Sequence, residues 1–283
     1  MQPFLDSLAT QTWRNFELIV VDQNSDSRLN DVLEPYQDRF EIRRLRCARG
    51  HSRALNFGLA HATGDLVGFP DDDCWYNPDT LERVAAFFQR HPESSGLTGR
   101  EIVKPKFSSG SRWDRRPGRL TRGNVWRRAI TFTIFLRRRA ATEVAFDETL
   151  GIGAGSPWGA GEETDYLLHL LAQGHGIHYD PDLTVWHQGR AGEFSDAVYA
   201  KAHHYAMGIG RVMRINRFPL PLATYHLLRP LGGMLLAFAR GRRRQSLYHW
   251  EIFRGRVKGW AALPCDAGPE PVSHPLPSRR PNV

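Results

Sequence analysis

The sequence predicts an α/β protein with a Rossmann-like, mostly parallel sheet flanked by helices, followed by a helical C-terminal appendage. Two compact apolar runs, residues 16–22 and 66–69, each lead into acidic residues, as buried strands do at a ligand-binding sheet edge. Between them, residues 50–60 place apolar side chains at helical spacing, and Gly64 and Asp65 close that helix. The order strand, helix, strand favours a parallel sheet.

Three consecutive carboxylates, Asp71, Asp72 and Asp73, follow the second strand directly. Like charges this close repel one another, and a divalent cation would neutralise them. Oxygen ligands favour Mg²⁺ or Mn²⁺ over a metal that prefers thiolates. A polar turn that caps the helix beginning near Pro78 is the alternative interpretation, because Asp is also a preferred turn and cap residue.

The order and spacing of these segments resemble those of bacterial family 2 inverting glycosyltransferases with the GT-A fold, which use nucleotide-sugar donors. The resemblance covers residues 4–190. Its motifs read LxSLxxQTxxxFELIVVDQxS, GHSRALNFGLAHATGD and FPDDDCWYNPDTLE, followed by residues 151–155, 161–168 and 185–187. It implies a catalytic domain over residues 1–192, with a nucleotide-sugar part at about 1–100 and an acceptor part at about 101–192.

The resemblance also implies a donor site in which a metal bridges the diphosphate and stabilises the charge that develops on it. Asp71 and Asp73 match the DxD motif and are expected to bind Mn²⁺ or Mg²⁺, with His187 as a third ligand. A structural role for this lone histidine is the alternative. The other expected nucleotide-sugar contacts are Asp22 and Gln23 at the base, Asp72 toward the ribose or the fold, and Arg53 at a phosphate. An exposed helix arginine without such a contact is the alternative for Arg53.

The helix that begins near residue 162 is expected to supply the base that deprotonates the acceptor hydroxyl during inversion. The family motif is commonly Glu-Asp-x-Asp, and its second position is Glu163 here, so Glu163 is the expected base and Glu162 the second candidate. Asp165 is expected to be structural. Helix capping is the alternative for these acids, because the first turn of a helix favours negative charge.

Two further expectations concern the acceptor and the start of the chain. Trp158, in the glycine-rich segment 151–161, either stacks on the acceptor sugar or covers the core edge. The family's first strand has no counterpart in residues 1–10, so we expect either a longer gene product with Met1 as an internal start or an impaired enzyme. Gln23 leaves UDP, dTDP and GDP sugars open as donors, because its amide both accepts and donates.

Composition fits a folded enzyme and argues against a disulfide scaffold. The chain has a hydrophobic content of 41% and three cysteines, none in C-x-x-C spacing, which also argues against a zinc site. No signal peptide is expected, and a reducing cytosol is the simplest compartment. The net charge of +8 comes from arginine clusters, which attract phosphates. The middle cluster consists of Arg112, Arg115, Arg116, Arg119, Arg122, Arg127 and Arg128.

The region 193–264 is expected to be helical and to associate with membranes. Residues 218–239 are apolar, but prolines interrupt them and they are too broken to span a bilayer. Arginines follow directly, which fits helices lying on an anionic membrane face, while a hairpin packed on the catalytic domain is the alternative. The proline-rich residues 265–283 are expected to be disordered.

These observations favour a metal-dependent inverting glycosyltransferase, peripheral on the inner face of the cell membrane. It would move a sugar from a nucleoside-diphosphate sugar to a lipid-linked or polysaccharide acceptor, with an anionic membrane surface but no nucleic acid as partner. A nucleotidyltransferase-like enzyme and a noncatalytic basic protein that binds membranes or nucleic acid are the alternatives.

Overall fold

The computed structural model describes residues 1–104, 113–189 and 194–262. It has a central sheet flanked by helices, which confirms the α/β class. The strands are β1 (Glu17–Asp22), β2 (Glu41–Arg46), β3 (Leu66–Gly68), β4 (Cys74–Tyr76), β5 (Gly96–Lys104), β6 (Gly118–Arg119), β7 (Ile134–Arg137) and β8 (Ile177–Gln188). The helices are α1 (Gln2–Ala9), α2 (Asn30–Leu33), α3 (His51–His61), α4 (Thr80–Arg90), α5 (Arg138–Ala141), α6 (Glu162–Ala172), α7 (Asp196–Ile215), α8 (Leu220–Ala239) and α9 (Arg243–Ala261).

The main sheet is mixed rather than mostly parallel, so the predicted strand directions are wrong for it. Its order is β3-β7-β5-β8-β4, with β6 added beside β8, and only β5 and β8 run parallel. β3 is three residues long and pairs antiparallel with β7, while β4 pairs antiparallel with β8. The pattern β1, α3, β3 therefore does not make a parallel pair, because β1 pairs with β2 instead.

A cleft of about 1800 Å³ separates the β1–β2 pair from the main sheet. Both β1 and β3 line it along their lengths, and buried apolar side chains such as Val20 and Phe69 lie at its wall. Among the described residues, β1 pairs only with β2 and β3 only with β7. The expectation that a first strand is missing stays a prediction. The cleft lies between β1 and β3.

Two of the C-terminal helices, α7 and α9, pack against each other through glycines where they cross. A Cβ atom added at Gly210 would lie 2.2 Å from the Arg256 carbonyl oxygen, and one at Gly259 would lie 2.0 Å from the Met207 carbonyl oxygen. Only glycine permits this close approach of two backbones.

Of the helices within the described ranges, none is long and apolar enough to cross a membrane. The expected disordered tail and Arg112 lie outside the described residues.

Candidate active site

The three consecutive acids form the turn between β3 and β4. The backbone amide and the thiol of Cys74 both donate to the Asp71 carbonyl oxygen, at 3.3 and 3.0 Å, which fixes the turn. Cys74 then pairs with His187 across the β4–β8 ladder. This register brings the Asp73 carboxylate beside the imidazole, because both stand at the same end of the sheet. Asp72, by contrast, is exposed.

His187 lies between two carboxylates, Asp73 and Glu101. Its Nε2 is 3.2 Å from Asp73 Oδ1, and its Nδ1 is 3.2 Å from Glu101 Oε1. The ring stacks on Phe132 with a centroid distance of 5.1 Å. The hydrogen bond to Glu101 and the charge of Asp73 raise the pKa of His187, although burial opposes them. Glu101 therefore orients the imidazole ring, and the other ring nitrogen faces Asp73.

The residues at this turn fit a divalent cation. A metal-binding histidine usually donates its second ring nitrogen to a carboxylate, as the contact between His187 and Glu101 allows. Asp71, Asp73 and His187 all line the same cleft, although no three acidic, histidine or cysteine side chains within the described ranges already converge on one point. Phosphate oxygens and water would complete the coordination, as is usual for Mg²⁺ sites.

Asp71 is the most desolvated acid of the turn. Burial raises the pKa of Asp71 to about 6, the charge of Asp73 adds to this, and His51 opposes it. A carboxyl group in this state is stabilised as a charged ligand when a cation is beside it. A positive charge beside Asp71 is therefore electrostatically favourable.

A second acidic pair, Glu162 and Glu163, begins helix α6 and lines the same cleft. Gly161, with φ of +102°, turns the chain into the helix in a conformation that favours glycine. Glu162 is buried, and its Oε2 has no hydrogen-bond partner among the described residues. The carboxylate lies against Gly151, where an added Cβ would be 3.0 Å from Glu162 Cδ. Glu163 is only half-buried, so it is the more accessible of the two.

Both glutamates have pKa values near neutral. Burial raises the pKa of Glu162 to about 7, and the charge of Asp71 adds to this. Burial also raises the pKa of Glu163 to about 8, with the charge of Glu162 as the next contribution. The two carboxyl groups are coupled, so their protons are lost in steps that belong to the pair. A base of this kind is suited to proton transfer near neutral pH.

His51 lies between the two acidic groups, and no role was predicted for it. Its Nε2 is 3.7 Å from Glu162 Oε1, and its charge also acts on Asp71. The His51 backbone amide donates to the Ile152 carbonyl oxygen at 2.9 Å, and the Ser52 hydroxyl donates to the Leu150 carbonyl oxygen at 2.7 Å. The start of α3 thereby holds the glycine-rich segment over the cleft.

Asp22 and Gln23 lie at the end of β1, on the cleft wall. Asp22 is buried, and its Oδ2 accepts from Arg44 Nε at 3.0 Å while its Oδ1 accepts from the Asn24 amide at 2.9 Å. Burial alone would raise the pKa of Asp22, but these hydrogen bonds outweigh it and lower the value. Gln23 Nε2 donates to the carbonyl oxygens of Ala48 and Gly50, at 2.7 and 2.9 Å.

Arg53 does not reach the cleft as expected. Its Nε donates to Glu148 Oε2 at 2.9 Å on the outer face of α3, because helical spacing turns this side chain away from His51. The alternative interpretation, an exposed helix arginine, describes it better.

Two residues around α6 have structural contacts. Trp158 is 1% exposed and packs within the core beneath Arg211, so it presents no face to a sugar here and the core interpretation is favoured. Asp165 accepts from Asn216 Nδ2 at 2.6 Å and lies 3.3 Å from His169, which agrees with the structural role expected for it.

The divided sheet and the cleft lined by two acidic groups define an α/β fold with a candidate active site at the edge of its sheet. The chain matches the profile of glycosyl transferase family 2 over residues 1–145, just over half its length, and it belongs to that family. A PGL/p-HBAD biosynthesis glycosyltransferase of Mycobacterium bovis is 37% identical over 114 residues. That match covers 38% of this chain and 43% of the relative, so it spans less than half of the relative's length.

Solved structures share the fold over most of the chain. TarS 1-349 of Staphylococcus aureus, in complex with UDP, has a TM-score of 0.57 and 18% identity and covers 91% of this chain and 87% of its own. The mannosyltransferase PcManGT of Pyrobaculum calidifontis, in complex with GDP-Man and Mn²⁺, has a TM-score of 0.58 and 16% identity, over 90% and 81%. At sequence identities this low, the structural similarity establishes the GT-A fold alone.

Proposed function

We propose that the protein transfers a sugar, with inversion and with the help of a divalent metal, from a nucleoside-diphosphate sugar to an acceptor hydroxyl. The main support is that two acidic groups of different electrostatic character face one cleft. Two histidines lower the pKa of Asp71 and partly offset its burial, whereas neighbouring negative charge adds to burial in raising the pKa values of Glu162 and Glu163. Family membership favours glycosyl transfer over nucleotidyl transfer and over noncatalytic binding.

On the donor side, Asp71, Asp73 and His187 would hold Mn²⁺ or Mg²⁺. When bound, the metal would act as a Lewis acid that offsets negative charge on the departing diphosphate. Glu101 would keep the His187 ring oriented, and Asp22 and Gln23 would line the base end of the site. The related structures hold UDP and GDP-Man with Mn²⁺, which supports a nucleotide-sugar donor here without selecting the base.

On the acceptor side, Glu163 would remove the proton from the attacking hydroxyl group. It is half-buried in the cleft, so a hydroxyl group has access to it, and its pKa of about 8 lets it hold that proton near neutral pH. Glu162, buried against Gly151, would tune the base through its charge. Attack from the face opposite the leaving group would invert the anomeric carbon.

The acceptor would be lipid-linked or a polysaccharide. The M. bovis relative is named for PGL/p-HBAD biosynthesis, and TarS is named a poly(ribitol-phosphate) β-N-acetylglucosaminyltransferase. The name of TarS gives a polymer as its acceptor, which supports a polymeric acceptor here. The identity of the sugar follows from neither name.

Thermal unfolding against UDP, dTDP and GDP, each with Mn²⁺ or with EDTA, would test the donor site. A ligand at 100 times its Kd adds about 2.7 kcal/mol to the free energy of unfolding, which raises the midpoint by several degrees. We expect such a shift with one nucleotide, only when Mn²⁺ is present. The absence of a shift with every nucleotide, for a chain that unfolds cooperatively, would contradict the proposal.

A further inference from the structure

Helix α8 presents a continuous apolar face to solvent. The exposed fractions are 73% at Leu220, 58% at Tyr225 and 62% at Leu235. At 3.6 residues per turn, these side chains, with Leu228 and Leu236, fall within one half of the helix circumference. Twenty helical residues at 1.5 Å each make this face about 30 Å long. Contiguous exposed apolar surface of this kind marks an interaction site.

The opposite side of α8 is fully used in packing. Ala223, His226, Pro230 and Ala237 are buried against the rest of the protein. The Ser246 hydroxyl of α9 also donates to the Met234 carbonyl oxygen at 3.1 Å. Because α9 itself is held by its glycine contacts with α7, the hairpin is fixed and its apolar face points outward. The packed side of α8 fits the hairpin alternative, and membrane association stays a prediction.

Positive charge lies at the C-terminal end of the apolar face. Four exposed arginines, Arg240, Arg242, Arg243 and Arg244, form the turn between α8 and α9 and its flanks. Residues 220–261 contain eight arginines and lysines but only one acid, Glu251, which is paired with His203 and Arg254. On α9, the apolar side chains Leu247 and Trp250 are also exposed.

We propose that this docking face binds the surface of an anionic lipid bilayer. It is defined as Leu220, Tyr225, Leu228, Leu235, Leu236 and Phe238 together with the four arginines of the turn. Leucines and aromatic rings would enter the boundary between headgroups and acyl chains, while the arginines contact anionic headgroups. The helix would lie in the plane of the membrane.

The charge distribution favours a bilayer over a second copy of the chain. In a twofold dimer each face meets its own copy, so the partner would bring the same eight basic residues and single acid and would supply no complementary negative charge. An anionic surface removes this repulsion and gains from every arginine. The inference does not depend on the proposed sugar transfer, since binding to lipid requires no turnover.

Sedimentation with vesicles tests the docking face directly. The full chain is mixed with vesicles of phosphatidylcholine alone and with vesicles in which phosphatidylglycerol is half of the lipid. We expect binding to the anionic vesicles to be at least tenfold tighter, to weaken as salt rises, and to shift tryptophan emission to the blue through Trp250.

Two double variants separate the contributions of the face. Leu235→Gln with Leu236→Gln removes apolar contact at exposed positions, and Arg242→Glu with Arg243→Glu reverses charge; each is expected to weaken binding to anionic vesicles at least tenfold. Arg39→Glu with Arg90→Glu changes net charge equally at exposed positions elsewhere and is expected to retain most of the binding. Thermal unfolding confirms that each variant is folded.

Three outcomes would overturn the inference. The first is equal affinity for neutral and anionic vesicles, and the second is an equal loss of binding in the control variant. The third is a concentration-dependent dimer that the leucine changes dissociate while vesicles bind none of the proteins.

Discussion

The two acidic groups of the cleft differ in what surrounds them. His187 lies 3.2 Å from Asp73, and both His187 and His51 lower the pKa of Asp71 against the effect of burial. Glu162 and Glu163 are near each other and are desolvated, so each is more stable in its neutral form. The same functional group is thus prepared for two tasks, to attract a cation in one place and to exchange a proton in the other.

The turn acids and the glutamates also lie on different secondary structure. The turn acids follow a short strand and are tied to a neighbouring strand by a backbone ladder, whereas the glutamates begin a helix and face a glycine-rich segment. The ladder fixes the position of the turn relative to His187, whereas the glycine-rich segment lies against the Glu162 carboxylate. Burial raises the carboxyl pKa in both groups, at Asp71 as well as at the two glutamates.

Replacing Asp73 should have the largest effect. Asp73→Asn keeps the size of the side chain but removes its charge, so it should lower turnover about 10³–10⁴-fold, because a metal supplies several kcal/mol of charge stabilisation. Steady-state release of the nucleoside diphosphate measures this loss. Asp72→Asn, at the exposed neighbouring position, is the control and should remain within about tenfold of the natural protein. A comparable loss of turnover in both variants would show that Asp73 and Asp72 do not differ in function.

Glu163→Gln should lower the rate about 10²–10³-fold, as expected for the loss of a general base. The stabilisation by nucleotide and Mn²⁺ should persist, because the donor acids are unchanged. Single-turnover kinetics together with thermal unfolding separates these two effects. If the variant keeps its full rate, the base lies elsewhere.

Glu101→Gln should weaken Mn²⁺ binding about 10–100-fold through the lost orientation of His187, as for other groups that hold metal-binding histidines. Titration of the paramagnetic metal, followed by water-proton relaxation, measures this without turnover. Glu93→Gln, at a surface acid beside His91, provides a matched change and should leave the affinity unaltered.

The smallest expected effect concerns pH. The natural enzyme should lose kcat/KM as pH falls below the apparent pKa values of the glutamate pair, about 7 and 8, because the base must be deprotonated. Glu162→Gln removes a negative charge that raises the pKa of Glu163, so this acid limb should move to lower pH. A pH–rate profile of the variant measures the displacement, and a limb that stays in place would show that the two acids act independently.

The sequence was informative wherever local pattern decides structure. Helices near residues 51, 80 and 162 and the strand ending at Asp22 follow from apolar spacing, glycine and acidic end signals. Glu101 could not be found in this way, because it meets His187 through a pairing of β5 with β8 across more than 80 residues. The position of His51 beside Glu162 and the burial of Trp158 depend equally on tertiary packing.

The cleft between the two sheets has a consequence for how the protein behaves in concentrated solution. Within the described ranges, β1 and β3 each pair on one side only, and both border the cleft along their lengths. Open strand edges accept further extended chains, whether from the same molecule or from another one. The cleft between β1 and β3 is therefore where an added strand would fit. An extended peptide bound there would join the two sheets into one.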